Sequence, residues 1–157
     1  MKKIIIGFDP GLADTGFGVI EENGNRLVNI CYGTIKTPAK TSLESRLETI
    51  YLAVKKLIKT HKPNLISIER LFFSRNVSTA LIVGQARGVI LLAAAQARIP
   101  IIEFTPNEVK QAVSSYGAAS KQQIQKMVKV LLQLEVIPKP DDAADALAIA
   151  ICASGRR

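Results

Sequence analysis

The order of apolar segments predicts a mixed α/β sheet covered by helices. Three observations carry this expectation. The N-terminal part of the chain holds three strand-like segments, and an Asn-Gly pair between the second and third marks a tight hairpin. The rest alternates helix, strand, helix, strand and then finishes in helices. Hydrophobic residues make up 48% of the 157, ample for a core, and a chain of this length buries about 68–70% of its unfolded surface.

Lys2–Asp9 reads as a buried strand, because Ile4-Ile5-Ile6-Gly7-Phe8 is continuously apolar and Pro10-Gly11 breaks it. Thr15–Glu22 and Arg26–Thr37 read as the second and third strands, with Asn23-Gly24 as the turn and Thr37-Pro38 as the end of the meander. Thr41-Ser42-Leu43-Glu44 fits a capping box. From there Leu43, Leu47, Ile50, Val54, Leu57 and Ile58 recur at helical spacing, opposite Arg46, Lys55, Lys56 and Lys59. Lys62-Pro63 stops this helix and leaves His61 exposed near its end. Asn64–Glu69 is a fourth strand and Arg70–Asn76 a loop. Ser78–Ala97 predicts a long helix that is apolar nearly all round, and therefore central or an interface element. Pro100–Phe104 is a short fifth strand. Pro106-Asn107-Glu108 opens a helix that ends near Tyr116-Gly117, and Ser120 caps another with Ile124, Met127, Val128, Leu131 and Leu132 as its buried stripe. After Pro138 and Pro140, Asp141 or Asp142 starts a last helix that runs to about Ala153.

Charge narrows the function. Twenty-one Lys and Arg against thirteen Asp and Glu give +8 and a pI near 9.7, a field that suits a polyanion such as nucleic acid. No apolar run reaches the roughly 18 residues of a membrane span. Lys2-Lys3 leads straight into a strand, which argues against a signal peptide. Cys31 and Cys152 lack metal-ligand spacing and read as buried, reduced thiols of a cytosolic protein.

Against that basic background, acids at strand ends stand out, because a buried carboxylate is costly unless something binds it. Asp9 ends the first strand, and Gly11 lets the turn after it stay tight. A plain turn with Asp9 capping backbone amides would look the same. A similar Asp-x-Gly turn holds nucleotide phosphate in proteins of the actin and hexokinase type, but 157 residues are too few for their two-lobed cleft. Glu69 ends Leu65-Ile66-Ser67-Ile68, where an ion pair is the simpler role. Asp141-Asp142-Ala143-Ala144-Asp145 opens the last helix. There Asp142 with Asp145, or Asp141 with Asp145, shares a helix face and can reach one metal. The helix N-terminus also favours such charge without any metal. Convergent carboxylates suit a hard divalent cation. Phe72 and Phe73, between Arg70 and Arg75, are not a core pattern; stacking rings beside a basic groove hold unpaired bases, which makes Phe72 and Arg75 candidate DNA contacts.

These acids in this order resemble the crossover-junction endodeoxyribonucleases of the RuvC family. The resemblance spans nearly the whole chain. It rests on Gly7-Phe8-Asp9-Pro10-Gly11, Thr15-Gly16-Phe17-Gly18-Val19, Ile68-Glu69 with Phe72, and Gly84-Gln85-Ala86-Arg87-Gly88. Thr105-Pro106, Val109-Lys110-Gln111, Lys121 with Met127-Val128, and Asp142-Ala143-Ala144-Asp145-Ala146-Leu147-Ala148 continue it. It implies an RNase H-like fold over residues 1–157, a single nuclease domain with a five-stranded sheet of a three-strand antiparallel meander plus two parallel strands. It implies Asp9, Glu69, Asp142 and Asp145 as catalytic ligands for Mg²⁺, two ions per site, with Mn²⁺ as a substitute; Asp141 is left as a neighbour. It implies Lys110 and Lys121 for junction binding, Lys121 also for catalysis, and Phe72 for stacking on an unpaired base. Arg70 departs from the pattern, where a neutral residue such as Gln is expected. The implied activity is symmetric nicking of a four-way DNA junction by a cytoplasmic homodimer, working beside the RuvA and RuvB branch-migration complex in recombination and repair. An RNase H-like nuclease of structured RNA and a non-catalytic junction-binding protein are the alternatives.

Overall fold

The computed structural model of the protein describes residues 2–71 and 76–156. Its five strands form one sheet in the order β3-β2-β1-β4-β5. β1 (Lys2–Asp9), β2 (Asp14–Asn23) and β3 (Arg26–Lys36) make the antiparallel meander. β4 (Leu65–Glu69) runs parallel to β1, and β5 (Ile101–Phe104) parallel to β4. Each parallel step needs a crossover, supplied by α1 (Leu43–His61) and α2 (Val77–Gln96). After β5 come α3 (Pro106–Ser114), α4 (Lys121–Leu131) and α5 (Asp141–Cys152).

Alternation along β1 divides the core. Ile6 and Phe8 pack with Ile50, Val54, Ile58 and Ile90 of α1 and α2, whereas Ile5 faces Leu147 and Ile149 of α5 with Ile20 beside it. α5 sits unusually close to the sheet. A Cβ on Gly7 would lie 2.2 Å from the Ala146 carbonyl oxygen, and one on Gly16 2.0 Å from that of Asp142. Gly18, opposite Gly7, faces Leu147 in the same way. Ser67, buried in β4, donates a hydrogen bond to the Ile149 carbonyl at 3.1 Å and ties the helix down.

Four details differ from expectation. Asn23 pairs with Arg26, so the hairpin loop is Gly24-Asn25; Gly24 alone takes positive φ, +60°, as a turn with glycine first requires. The capping box at Thr41 does not form, because the Thr41 hydroxyl donates to the Pro38 carbonyl and Ser42 takes the N-cap position. Complete boxes occur instead at Thr105 with Glu108 and at Ser120 with Gln123. Cys152 is buried, but Cys31 is only half-buried; its Sγ lies 3.5 Å from Nε2 of His61, which is itself half-buried where the end of α1 meets β3.

α2 is long and apolar enough, by length and composition, to cross a membrane. Here it packs on the sheet through Ala86, Ile90, Ala93 and Ala94, while Val77, Leu81, Ile82 and Leu92 project outward.

Candidate metal centre

Asp9 and Glu69 are the last residues of neighbouring parallel strands whose pairing ends at Phe8 and Ile68, so they emerge side by side. Phe8 and Ile68 point to the α1–α2 face, which sends the next residue of each strand toward α5. The turn beyond Asp9 is held tight: the Thr15 hydroxyl donates to the Gly11 carbonyl at 2.6 Å, and a Cβ on Gly11 would meet the Asp14 carbonyl at 2.3 Å. Across β1, Asp9 pairs with Gly16, the residue on which the first turn of α5 rests. Asp142 lies in that first turn and Asp145 one turn further on, and their spacing of three residues puts both on one face. One carboxylate oxygen from each of Asp9, Asp142 and Asp145 lies within 4.8 Å of the other two. Glu69 stands outside that trio. It lines the same cleft of about 300 Å³ as Asp9, Asp145, Lys110 and Lys121.

The electrostatics fit a cation. Burial, then Asp145, Glu69 and Asp142, pushes the Asp9 carboxyl from 3.8 to about 8. Burial also raises Asp145 and Glu69; Lys121 partly offsets the first and Lys110 the second. The carboxylates resist being charged together, and a hard cation relieves that cost. The donors are all carboxylate oxygens, the set that Mg²⁺ and its kin prefer.

Asp141 is occupied elsewhere. Its Oδ1 accepts from Gln125 Nε2 at 3.0 Å and Lys139 Nζ at 3.2 Å, and these partners hold its carboxyl below the usual range. Lys121, placed at the start of α4 by the Ser120 cap, sits 3.5 Å from Asp141 and 3.6 Å from Asp145. Asp145 raises its ammonium pKa, with Asp141 contributing. Phe72 and Arg75 lie outside the described residues.

A family model described as Crossover junction endodeoxyribonuclease RuvC matches residues 5–153. The chain belongs to the RuvC family. A RuvC from Heliobacterium modesticaldum is 59% identical over 149 residues, 95% of this chain and 92% of the relative. One from Desulfitobacterium hafniense is 56% identical, again over 95% of this chain, and 90% of its own length is covered. Among solved structures, Thermus thermophilus RuvC in complex with Holliday junction substrate superposes with a TM-score of 0.92 at 31% identity, covering 97% of this chain and 93% of that one. The yeast mitochondrial Holliday junction resolvase Ydc2 shares the fold, with a TM-score of 0.67 at 14% identity over 94% of this chain and 76% of that one. The RNase H-like fold class expected from sequence is thus the one this RuvC chain has.

Sequence pattern alone assigns no role to several residues at the site. Val109, Ile124, Ala148 and Ile149 line its apolar wall. Arg87 and Glu103 lie next to it, and the available signal was that Arg87 is the one charged residue in the whole of α2.

Proposed function

We propose that this RuvC chain is a Mg²⁺-dependent endonuclease that resolves Holliday junctions by paired, symmetric nicks in homologous recombination and DNA repair. The observation that carries the reading is the convergence of Asp9, Asp142 and Asp145, with Glu69, Lys110 and Lys121 lining the same cleft as Asp9 and Asp145. The four acids would hold Mg²⁺, two ions per site, with Mn²⁺ as a substitute. When bound, such ions supply an activated water and stabilise the departing 3′-oxygen at phosphorus. Lys110 and Lys121 bind the phosphates of the strand. Phe72 stacks on an unpaired base, a reading that rests on the sequence and the family pattern, and Arg75 contacts the DNA, a reading that rests on the sequence.

A four-way junction has approximate twofold symmetry, and two cuts need two sites in that relation. A homodimer of twofold symmetry provides them. The outward residues of α2, Val77, Leu81, Ile82 and Leu92, give it an apolar surface. The reading includes a cytoplasmic location and work beside RuvA and RuvB.

The test is cleavage of a synthetic mobile junction with and without Mg²⁺, mapped on all four strands, alongside RNA hairpins and hybrids. Expected are matched nicks in two opposed strands, and none without the metal. Junction binding with no cut in any metal points to a non-catalytic protein, and preferred cutting of RNA points to a different substrate.

A further inference from the structure

A second cluster of charge adjoins the metal centre. Arg87, half-buried in α2 with a side chain only 16% exposed, pairs through Nη2 with Oε1 of Glu103 on β5. The other oxygen of Glu103 lies 3.8 Å from Nε of Arg70, the residue after β4. Two guanidinium groups therefore meet one carboxylate, and the cluster keeps a net positive charge. Nε of Arg87 is buried with no hydrogen-bond partner among the described residues. An ion pair built only to hold α2 on the sheet would need one arginine and would leave no donor orphaned.

The cluster opens on a cleft of about 200 Å³ that Arg70 and Arg87 line together with Asp9, Glu69 and Pro106. Those last three residues also line the cleft that holds Lys110 and Lys121. The acids thus lie in one groove with cations on both sides. Lysine charges act on the acids: Lys121 on Asp9 and Asp145, and Lys110 on Glu69. Arg70 also acts on the exposed Glu108, but two guanidinium groups on the single Glu103 carboxylate leave positive charge beside the groove, and the planar fork of arginine suits a phosphate.

We propose that Arg70 and Arg87 form a subsite for a backbone phosphate of the cut strand, adjacent to the scissile one. The subsite rests on the nuclease reading above. It is tested with junctions that carry one uncharged methylphosphonate at each phosphate flanking the cut. The unmodified enzyme should lose about tenfold in cleavage rate at one such position, the cost of one charge-assisted contact. Arg70→Gln should cut the unmodified junction about tenfold more slowly and lose nothing further on that same methylphosphonate substrate. Arg87→Lys should behave alike; Arg70 is exposed, so Arg70→Gln keeps the test valid if the half-buried replacement fails to fold. In Ca²⁺, Arg70→Gln should lower the salt slope of junction binding by about one. An unchanged rate and slope in Arg70→Gln, or losses that multiply at every flanking position, overturn the subsite. Failure of the nuclease reading shows separately, as no metal-dependent cutting of the unmodified junction, and the salt slope then decides the subsite by itself.

Discussion

With its carboxyl pushed up to about 8, Asp9 keeps a proton through neutral pH when no cation is bound. In the unfolded chain the same group titrates near 3.8, so between about 4 and 8 the folded protein binds the extra proton. This group therefore lowers metal-free stability as pH rises across that window. A cation needs the carboxylate, so binding should release a proton and tighten up to about tenfold per pH unit below 8, readable by calorimetry in buffers of different ionisation enthalpy. Asp9→Asn should abolish cleavage and keep junction binding. It should also stabilise the metal-free protein at pH 7.5 by at least about 1 kcal/mol, roughly 2–4 °C in Tm. Full cleavage by this variant in Mg²⁺ would remove Asp9 from the metal centre. For Lys121→Ala, slower cutting or weaker binding is expected, and an unchanged rate and salt dependence would take it out of the site. The acids were legible in sequence because strand ends announce themselves. Helix spacing could not choose between Asp141 and Asp142, since both share a face with Asp145. What separates them is Gln125, on another helix, and Lys139, which occupy Asp141.

At the scale of elements, α5 carries half of the acids and depends on glycine to reach them. Replacing Gly16 with alanine would put Cβ 2.0 Å from the Asp142 carbonyl oxygen, with backbone rather than a flexible side chain in the way. Gly16→Ala should therefore cost about 1–3 kcal/mol or more, and urea unfolding measures it. Cleavage should fall further than this loss explains, because the first turn of α5 must shift. Strand positions and helix faces were legible from period, and most boundaries fall within a residue or two of expectation. The turn and the first cap were not. Asn23-Gly24 and Gly24-Asn25 both offer a tight turn, and the pairing of β2 with β3 decides between them. Thr41 and Ser42 are adjacent hydroxyls, and the bond from Thr41 to Pro38 decides the cap. The seat of α5 was legible only as a run of small residues, because close approach depends on two segments far apart in sequence.

For the whole molecule, the meander and the helical crossovers were visible in the sequence, but the central place of β1, which sets the acids in the middle of the sheet, comes from tertiary pairing. The apolar character of α2 was visible too; that one side of it is spent on the sheet and another is left outward required the structure. If the outward side joins two copies, Leu81→Glu with Leu92→Glu should leave a folded monomer in sedimentation and uncouple the two nicks. A dimer that persists would place the interface elsewhere. One consequence follows from the seat of α5. The spacing between the acids on the sheet and those on the helix is a ruler made of backbone atoms in contact, not of side chains with room to swing. Such contacts barely compress or expand. Warming has no gradual way to slacken the centre, so the spacing of the acids should hold up to the melting transition and be lost with it.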